Sequence, residues 1–358
     1  MKNARTGVVG CLTSSKFYTT LILLLVLFSI PLIIKNPVFL QLMILVFWYA
    51  YLTLSWNIVG GFAGQLSLGH AAFTGIGAYT STVLFIQFGL SPWLGMLAGG
   101  TFAAIIAITI GYPCFRLRGA YFALSTIAFA EALKVLVENT REVFGIPIKG
   151  AQGLLVPLKG QSLINFQFLS KAHYYYVILI MMLVALFITY KITKSKLGYY
   201  LSAIRNDVDA ARSLGINVSR CRLKAAILSA FLTAIGGTFY AQMLLFIDPA
   251  GIMGLYLSME IVFIAIIGGR GTLMGPILGA FFMVPIAEFT RFYFGGQKVG
   301  VHFIIYGIAL IAIMLFSPRG INDLIVRGYN LLFGEKGRKE GNFLGGKSYD
   351  SSRCSGNK

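Results

Sequence analysis

Apolar runs of about twenty residues recur along most of this 358-residue chain, with only short polar breaks between them. No other feature restricts the fold as tightly. A helix of eighteen to twenty residues reaches about 27–30 Å, the thickness of a bilayer's hydrocarbon core. In lipid every backbone polar group needs a partner within the protein, and continuous runs without apolar/polar alternation meet that need as helices. Ten runs are predicted as spans: Phe17–Ile34, Pro37–Val59, Leu66–Phe88, Leu90–Tyr112, Gly119–Val137, Tyr174–Tyr190, Leu223–Ile247, Leu255–Gly268, Leu273–Phe294 and Val301–Phe316. Lys35-Asn36-Pro37, not a small-residue cleavage site, follows the first run, so it reads as an uncleaved span and not as a signal peptide. The expected fold is an all-α integral membrane protein with about ten transmembrane helices, both termini cytoplasmic, and broken or re-entrant glycine-rich segments.

Charge supports this and fixes an orientation. Only 12% of residues are charged, half the share of soluble domains. The net charge of +18 would suit nucleic acid if it were gathered on one domain, but the basic residues sit at span ends and in a few loops. No nucleic-acid partner is expected; contact with anionic lipid is. With the N-terminus inside, 22 of the 30 Lys and Arg residues fall on inner segments, as the positive-inside rule requires of a cytoplasmic face. The division that follows is an N-terminal tail (1–16), a transmembrane domain (17–318) and a basic cytoplasmic tail (319–358), disordered from about residue 334. Within the domain lie an outer loop, 138–173, and a cytoplasmic loop, 191–222. All four cysteines (Cys11, Cys114, Cys221, Cys354) are then at the inner face, where no disulfide is expected.

Residues 60–84, GGFAGQLSLGHAAFTGIGAYTSTVL, hold six glycines, no formal charge and a polar cluster at Gln65, Ser67 and His70. Gly60, Gly61 and Gly64 weaken the start of a helix, and a broken helix at membrane depth is tolerated only where its backbone meets protein or water. Transporters build substrate sites from such breaks. Ser67, Ala71 and Gly75, and likewise Gly77 and Ser81, repeat every four residues, which lets helix backbones approach closely. Gln65, Ser67, Gly69, His70, Gly75, Gly77 and Tyr79 are therefore candidates for a translocation pathway. Helix packing accounts for the same glycines, and a histidine satisfied by a neighbouring helix accounts for His70. A second break, GGRGTLMGP at 268–276, loosely echoes the first and suggests an internal repeat. Its Gly268, Gly269, Gly271, Gly275 and Pro276 are candidates for an inner gate.

In the cytoplasmic loop, LGYYLSAIRNDVDAARSLGIN (197–217) places Leu201, Ile204, Val208, Ala211 and Leu214 at steps of three and four. A single amphipathic helix is expected, ending at Gly215, with its apolar stripe on the inner leaflet or in a partner's groove.

Charges inside spans usually pair or line water. Glu131, Lys134 and Glu138 are spaced for mutual pairing. Glu260 and Glu288 keep an ion-coupled secondary transporter in view. The tail segment GNFLGGKS, Gly341 to Ser348, satisfies the phosphate-loop pattern, but no strand precedes it and no helix can follow, so this chain is not expected to hydrolyse ATP. His70, His173 and His302 are scattered, and no metal site or enzyme constellation is expected.

Two segments carry a family resemblance. Asp209-Ala210-Ala211 with Gly215 resembles the cytoplasmic EAA-type motif of ABC importer permeases, with Asp209 where that family more often has Glu. SLGHAAF followed by GIGAY, with LSAFLTAIGGTFYAQ and IGGRGTLMGPILGAF, resembles the branched-chain amino acid permeases of the LivM type over about residues 35 to 320. The resemblance implies a permease subunit that moves leucine, isoleucine and valine inward across a bacterial inner membrane. It implies two ABC ATPase partners that bind the ATP, a second related permease, and a periplasmic binding protein docking on the outer loops; the chain itself needs no cofactor. It implies coupling to the ATPases through Leu201, Ile204, Arg205, Val208, Asp209, Ala210, Ala211 and Gly215. Relatives that carry urea or short amides remain an alternative.

Overall fold

A computed structural model of the chain describes residues 25–34, 36–115, 117, 119–143, 146–160, 162–294 and 320–323, with single positions 304, 307, 308, 311 and 315. The N-terminal tail, most of the last expected span, the phosphate-loop-like segment, Cys11, Cys354 and His302 lie outside these residues.

The described chain is mostly helical. A helix at 25–33 (α1) precedes α2 (Pro37–Asn57), which begins where Asn36 accepts from the Val38 amide at 3.0 Å and Pro37 supplies a preset first residue. At its far end α2 widens into a π-helical turn, Ile58–Phe62, and the helix is lost until α3 (His70–Phe88). Then come α4 (Pro92–Cys114), α5 (Ala120–Asn139), α6 (Lys171–Lys194), α7 (Lys196–Asn206), α8 (Val208–Ser213), α9 (Val218–Leu244), α10 (Pro249–Ile252), α11 (Leu255–Gly268) and α12 (Gly275–Phe294). Seven stretches among the described residues are long and apolar enough to cross a membrane: Pro37–Phe62, His70–Phe88, Pro92–Cys114, Ala120–Asn139, Lys171–Lys194, Val218–Leu244 and Pro249–Gly268. The protein is a multi-pass membrane protein by this measure.

Helices α2, α3, α4 and α9 form the packed centre. Glycine sets the spacing between α3 and its neighbours. A Cβ on Gly77 would collide with the backbone of Ala234 in α9, one on Gly237 with the backbone of Thr74, and one on Gly99 of α4 would come within 3.0 Å of Gly77. Thr238 Oγ1 donates to the Gly77 carbonyl across the same seam at 3.0 Å. These contacts are backbone against backbone, as small residues permit in lipid. The four-residue repeat is shorter than expected: α3 begins at His70, not Leu66, so Ser67 is not on the helical stripe.

The loop after α5 is built, not loose. It carries a two-residue hairpin, β1 (Glu142–Val143) with β2 (Ile146–Pro147), and β3 (Leu154–Leu155) pairs antiparallel with β4 (Phe246–Ile247). Lys159 Nζ donates to the Phe85 carbonyl at 2.9 Å, and Trp93 Nε1 to that of Leu163 at 2.8 Å, tying the loop to the ends of α3 and α4.

The helix expected in loop 191–222 departs from expectation in two ways. It breaks at Asp207, whose extended backbone (φ −152°, ψ 118°) ends α7 while its carboxylate accepts from the Asp209 and Ala210 amides at 2.8 and 3.0 Å and starts α8. Its apolar stripe also faces the protein. Leu201, Ile204 and Ala211 are buried in the chain's own core and Val208 is half-buried, so they are not free for lipid or a partner's groove. Leu214, expected on that stripe, is 80% exposed; α8 ends at Ser213, and Leu214 is its C-terminal cap.

Candidate functional site

The two glycine breaks, some 200 residues apart in sequence, meet. Asn57, fully buried at the end of α2, holds them together. Its Nδ2 donates to the Thr272 carbonyl and its Oδ1 accepts from the Gly271 amide, both at 2.8 Å. Gly271 has φ 77°, a left-handed conformation that suits glycine. An added Cβ there would strike the Arg205 guanidinium and stand 3.0 Å from the Gly61 carbonyl oxygen. A Cβ on Gly61 would in turn strike Asn57 and lie 2.6 Å from the Gly271 amide nitrogen.

Arg205 of α7 covers this junction. Its stem lies against Gly64, whose Cβ position is 3.2 Å from Arg205 Cγ, and its head lies on Gly271. Partial desolvation, and then Arg270 nearby, holds its guanidinium below its ordinary pKa. The loop 191–222 thus touches both breaks through Arg205.

Beyond the π turn, residues 64–69 form neither helix nor strand and are pinned along their length. Trp56 Nε1 donates to the Ser67 carbonyl at 2.7 Å, and the Leu68 amide donates to Thr126 Oγ1 at 3.1 Å. Gly69 approaches α5 so closely that a Cβ would lie 2.6 Å from the Thr126 carbonyl oxygen. Gln65 is buried, and with its amide turned to place oxygen toward Arg222, that oxygen accepts from the guanidinium at 2.7–3.0 Å. Arg222, 5% exposed, is a cation held inside the protein.

His70 lies in a defined chain of hydrogen bonds. Ser229 Oγ donates to the Ser55 carbonyl at 2.7 Å, so it accepts from His70 Nε2 at 2.8 Å; Nδ1 is then the acceptor from Ser67 Oγ at 3.1 Å. This arrangement puts a proton on Nε2, and in the neutral imidazole Nδ1 is then the acceptor. Both ring nitrogens are satisfied, and the histidine links the break to α9 and, through Ser229, to α2. The start of α3 is capped from elsewhere: Ser258 Oγ in α11 accepts from the Ala71 amide at 2.9 Å.

The pathway candidates therefore divide. Gln65, Ser67, Gly69 and His70 lie on the segment after the π turn and at the start of α3, tied to Arg222, Trp56, Thr126 and Ser229, while of the gate candidates Gly271 is the one that meets Gly61 at the latch. Gly268 packs against Gly275 and Gly279 at the α11–α12 crossing, Thr272 Oγ1 bridges the Gly269 carbonyl and the Gly275 amide at 2.7 and 3.0 Å, and Pro276 is the second residue of α12. Gly75, Gly77 and Tyr79 lie further along α3. Gly75 backs onto Met253, Gly77 onto α9, and Tyr79 lines an apolar cavity. Asp209, Ala210 and Gly215 are exposed on α8 and its turn, with Asp209 3.4 Å from Arg212. Asn57, Trp56, Thr126, Ser229 and Ser258 were not singled out from sequence. Each is an ordinary polar or aromatic residue in an apolar run, and its partner is set by tertiary packing.

Most of the charged groups expected to pair in the spans find partners, though Glu138 is not joined to the Glu131–Lys134 pair among the described residues. Lys134 pairs with Glu131, Arg291 with Glu288 at 3.0 Å, and the hydroxyls of Tyr49 and Tyr256 both donate to the buried Glu260. Among the described residues no group of three His, Cys, Asp or Glu is placed to hold a metal ion.

Comparison with known proteins identifies the chain's relatives. The family described as "Branched-chain amino acid transport system / permease component" matches residues 38–315. The permease protein LivM of the high-affinity branched-chain amino acid transport system of Escherichia coli K12 is 28% identical over 296 residues, covering 76% of this chain and 67% of that protein. BraD of Pseudomonas aeruginosa, a permease protein of the same description, is 26% identical over 285 residues, covering 76% and 91%. LivH of Salmonella typhimurium is 24% identical over 287 residues, covering 76% and 90%. No solved structure matches the chain.

Proposed function

The chain belongs to the permease-component family of branched-chain amino acid transport systems, and on that premise we propose that it moves leucine, isoleucine and valine inward across the bacterial inner membrane as one permease subunit of an ABC importer. The observation that carries the mechanism is Arg205. It belongs to the cytoplasmic loop, yet it rests on Gly64 and Gly271, the two helix breaks that Asn57 latches together. ATP-driven closure of two partner ATPases would displace α7 and α8, and Arg205 would carry that displacement to the breaks. The junction then acts as an inner gate, opening when its backbone contacts part and closing when they re-form.

The surface offered to an ATPase is the exposed side of the loop. It carries Tyr199, Asp209, Ala210, Arg212 and Leu214, while Leu201, Ile204 and Ala211 transmit force by being buried. A second permease subunit has support of its own. Helix α5 is the least buried of the seven spanning stretches, yet it carries the Glu131–Lys134 pair, with Glu131 45% exposed. Charged groups within a span face protein or water and not lipid. The built loop after α5 offers a fixed platform to a periplasmic binding protein. The full set of ten spans with both termini cytoplasmic belongs to the same proposal.

The test is purification of tagged chain from its own cells in mild detergent, with mass spectrometry of what accompanies it. Two ATPase copies and a second permease are expected. A chain that purifies alone and binds no ATPase in reconstitution contradicts the proposal.

A further inference from the structure

The loop after α5 has two halves of opposite character. Its first half, to residue 152, carries exposed charges at Arg141, Glu142 and Lys149. Residues 153–170 carry one charge, Lys159, and no acid. In this second half the usual sorting is reversed. Leu155, Leu158, Leu163, Ile164 and Leu169 are 68–84% exposed, while Gln167 is 3% exposed. The Gln167 amide is spent on backbone: Oε1 accepts from the Lys159 amide at 3.0 Å, and Nε2 donates to the Pro157 carbonyl at 2.9 Å. Lys159 turns inward too, its ammonium 4.5 Å from the Phe85 ring centre and bonded to the Phe85 carbonyl. Leu158 and Leu169 border one groove. Single exposed apolar residues are ordinary, but a group of them marks a protein or membrane contact. A segment in lipid must satisfy its polar groups from within and can leave leucine outside.

The segment has a fixed place against the spanning helices. Phe166, fully buried, packs its ring on Trp93 and Phe239 at 4.6 and 6.0 Å. Trp93 Nε1 donates to the Leu163 carbonyl at 2.8 Å, and Ser91 Oγ donates to that of Ile164. Leu163 and Ile164 therefore sit at the start of α4, where Trp93, Leu94 and Leu97 are exposed. Helix α4 contains no charged residue, and the hydroxyls of its exposed Thr101 and Thr109 donate to carbonyls of their own helix at 2.8 and 3.1 Å. Such a face suits lipid, and the loop patch continues it. We propose that residues 155–169 lie in the membrane leaflet at that end of α4 as an interfacial anchor for phospholipid, with Leu163 and Ile164 among the acyl chains and Trp93 at the headgroup level. A soluble protein that docks and leaves is matched by the charged half instead, since transient interfaces are about as polar as the rest of a protein surface. The anchor sets the depth of the loop and so presents that charged half to water.

The experiment places the photo-reactive residue p-benzoylphenylalanine at Leu158, Leu163 or Leu169, one at a time, in the full chain in its own cells. Gln152, exposed in the charged half, is the control position. These leucines are mostly exposed, so the larger ring need not enter the core, and three positions keep the test intact if one of them prevents assembly. After illumination, mass spectrometry identifies what each position has joined. The three leucine positions should give phospholipid adducts about fivefold or more above position 152. Phospholipid adducts no more abundant than at position 152 overturn the proposal. Adducts with a binding protein or a second permease that outnumber phospholipid at the leucine positions mark a protein interface and overturn it also.

Discussion

At the scale of single residues, Asn57 has the clearest consequence. It is one amide at the end of a long apolar helix, and both ends of that amide are used. Asn57→Ala strands the Gly271 amide and the Thr272 carbonyl in a partly buried site, where each unsatisfied group costs about 1–3 kcal/mol. The expected result is a lower unfolding temperature of the purified complex and reduced uptake; unchanged values for both would remove the latch from the account. Gly69→Leu puts side-chain atoms where the Thr126 carbonyl already stands, so loss of assembled complex is expected on size-exclusion chromatography. The sequence made Gln65, Ser67 and His70 visible because polar residues are rare in such a run. Asn57 and Ser229 were not visible in the same way, since what distinguishes them is a partner more than 150 residues away.

At the scale of elements, the cytoplasmic loop teaches most. Its period of three and four was legible, and so was the stop at Gly215. The inward direction of the stripe was not, because an apolar face does not say whether its cover is lipid, a partner or the chain itself. Nor was the break at Asp207, where a side chain that caps α8 competes with continuation of the helix. Asp207→Ala should speed hydrogen exchange at the Asp209 and Ala210 amides, while Asp207→Ser stays near wild type; equal exchange in all three would show that the cap is idle. These amide bonds hold the Asp207 carboxyl below its usual carboxylate pKa. Its contribution is therefore present above the unfolded value of about 3.9 and is lost as pH falls through the lower folded value. Protection of those two amides should accordingly be flat near neutral pH and fall in acid. On the outward side of the loop, Asp209→Arg reverses a charge that is 70% exposed, and Gly215→Pro forces φ near −65° on a residue at 80°. Both variants should insert normally and fail to stimulate partner ATPase activity. Normal stimulation in both would mean that the ATPase docks elsewhere.

At the scale of the molecule, hydrophobic runs and charge asymmetry were sufficient to define a multi-pass helical protein, and most helix positions agree with the runs to within a few residues. The meeting of the two glycine breaks was beyond that reading. Their short likeness hinted at a repeat, but only packing brings them to one place and sets Arg205 over them. On the function proposed above, loop 191–222 is a lever on this junction and partner ATPases supply the work. The direct test is leucine uptake into proteoliposomes that hold this chain alone, or this chain with its permease and ATPase partners, with binding protein outside and ATP or an ion gradient as the only energy source. The account predicts uptake by the complete complex with ATP and none by the chain alone under either condition. Uptake by the chain alone on an ion gradient, abolished by Glu260→Gln, would contradict it.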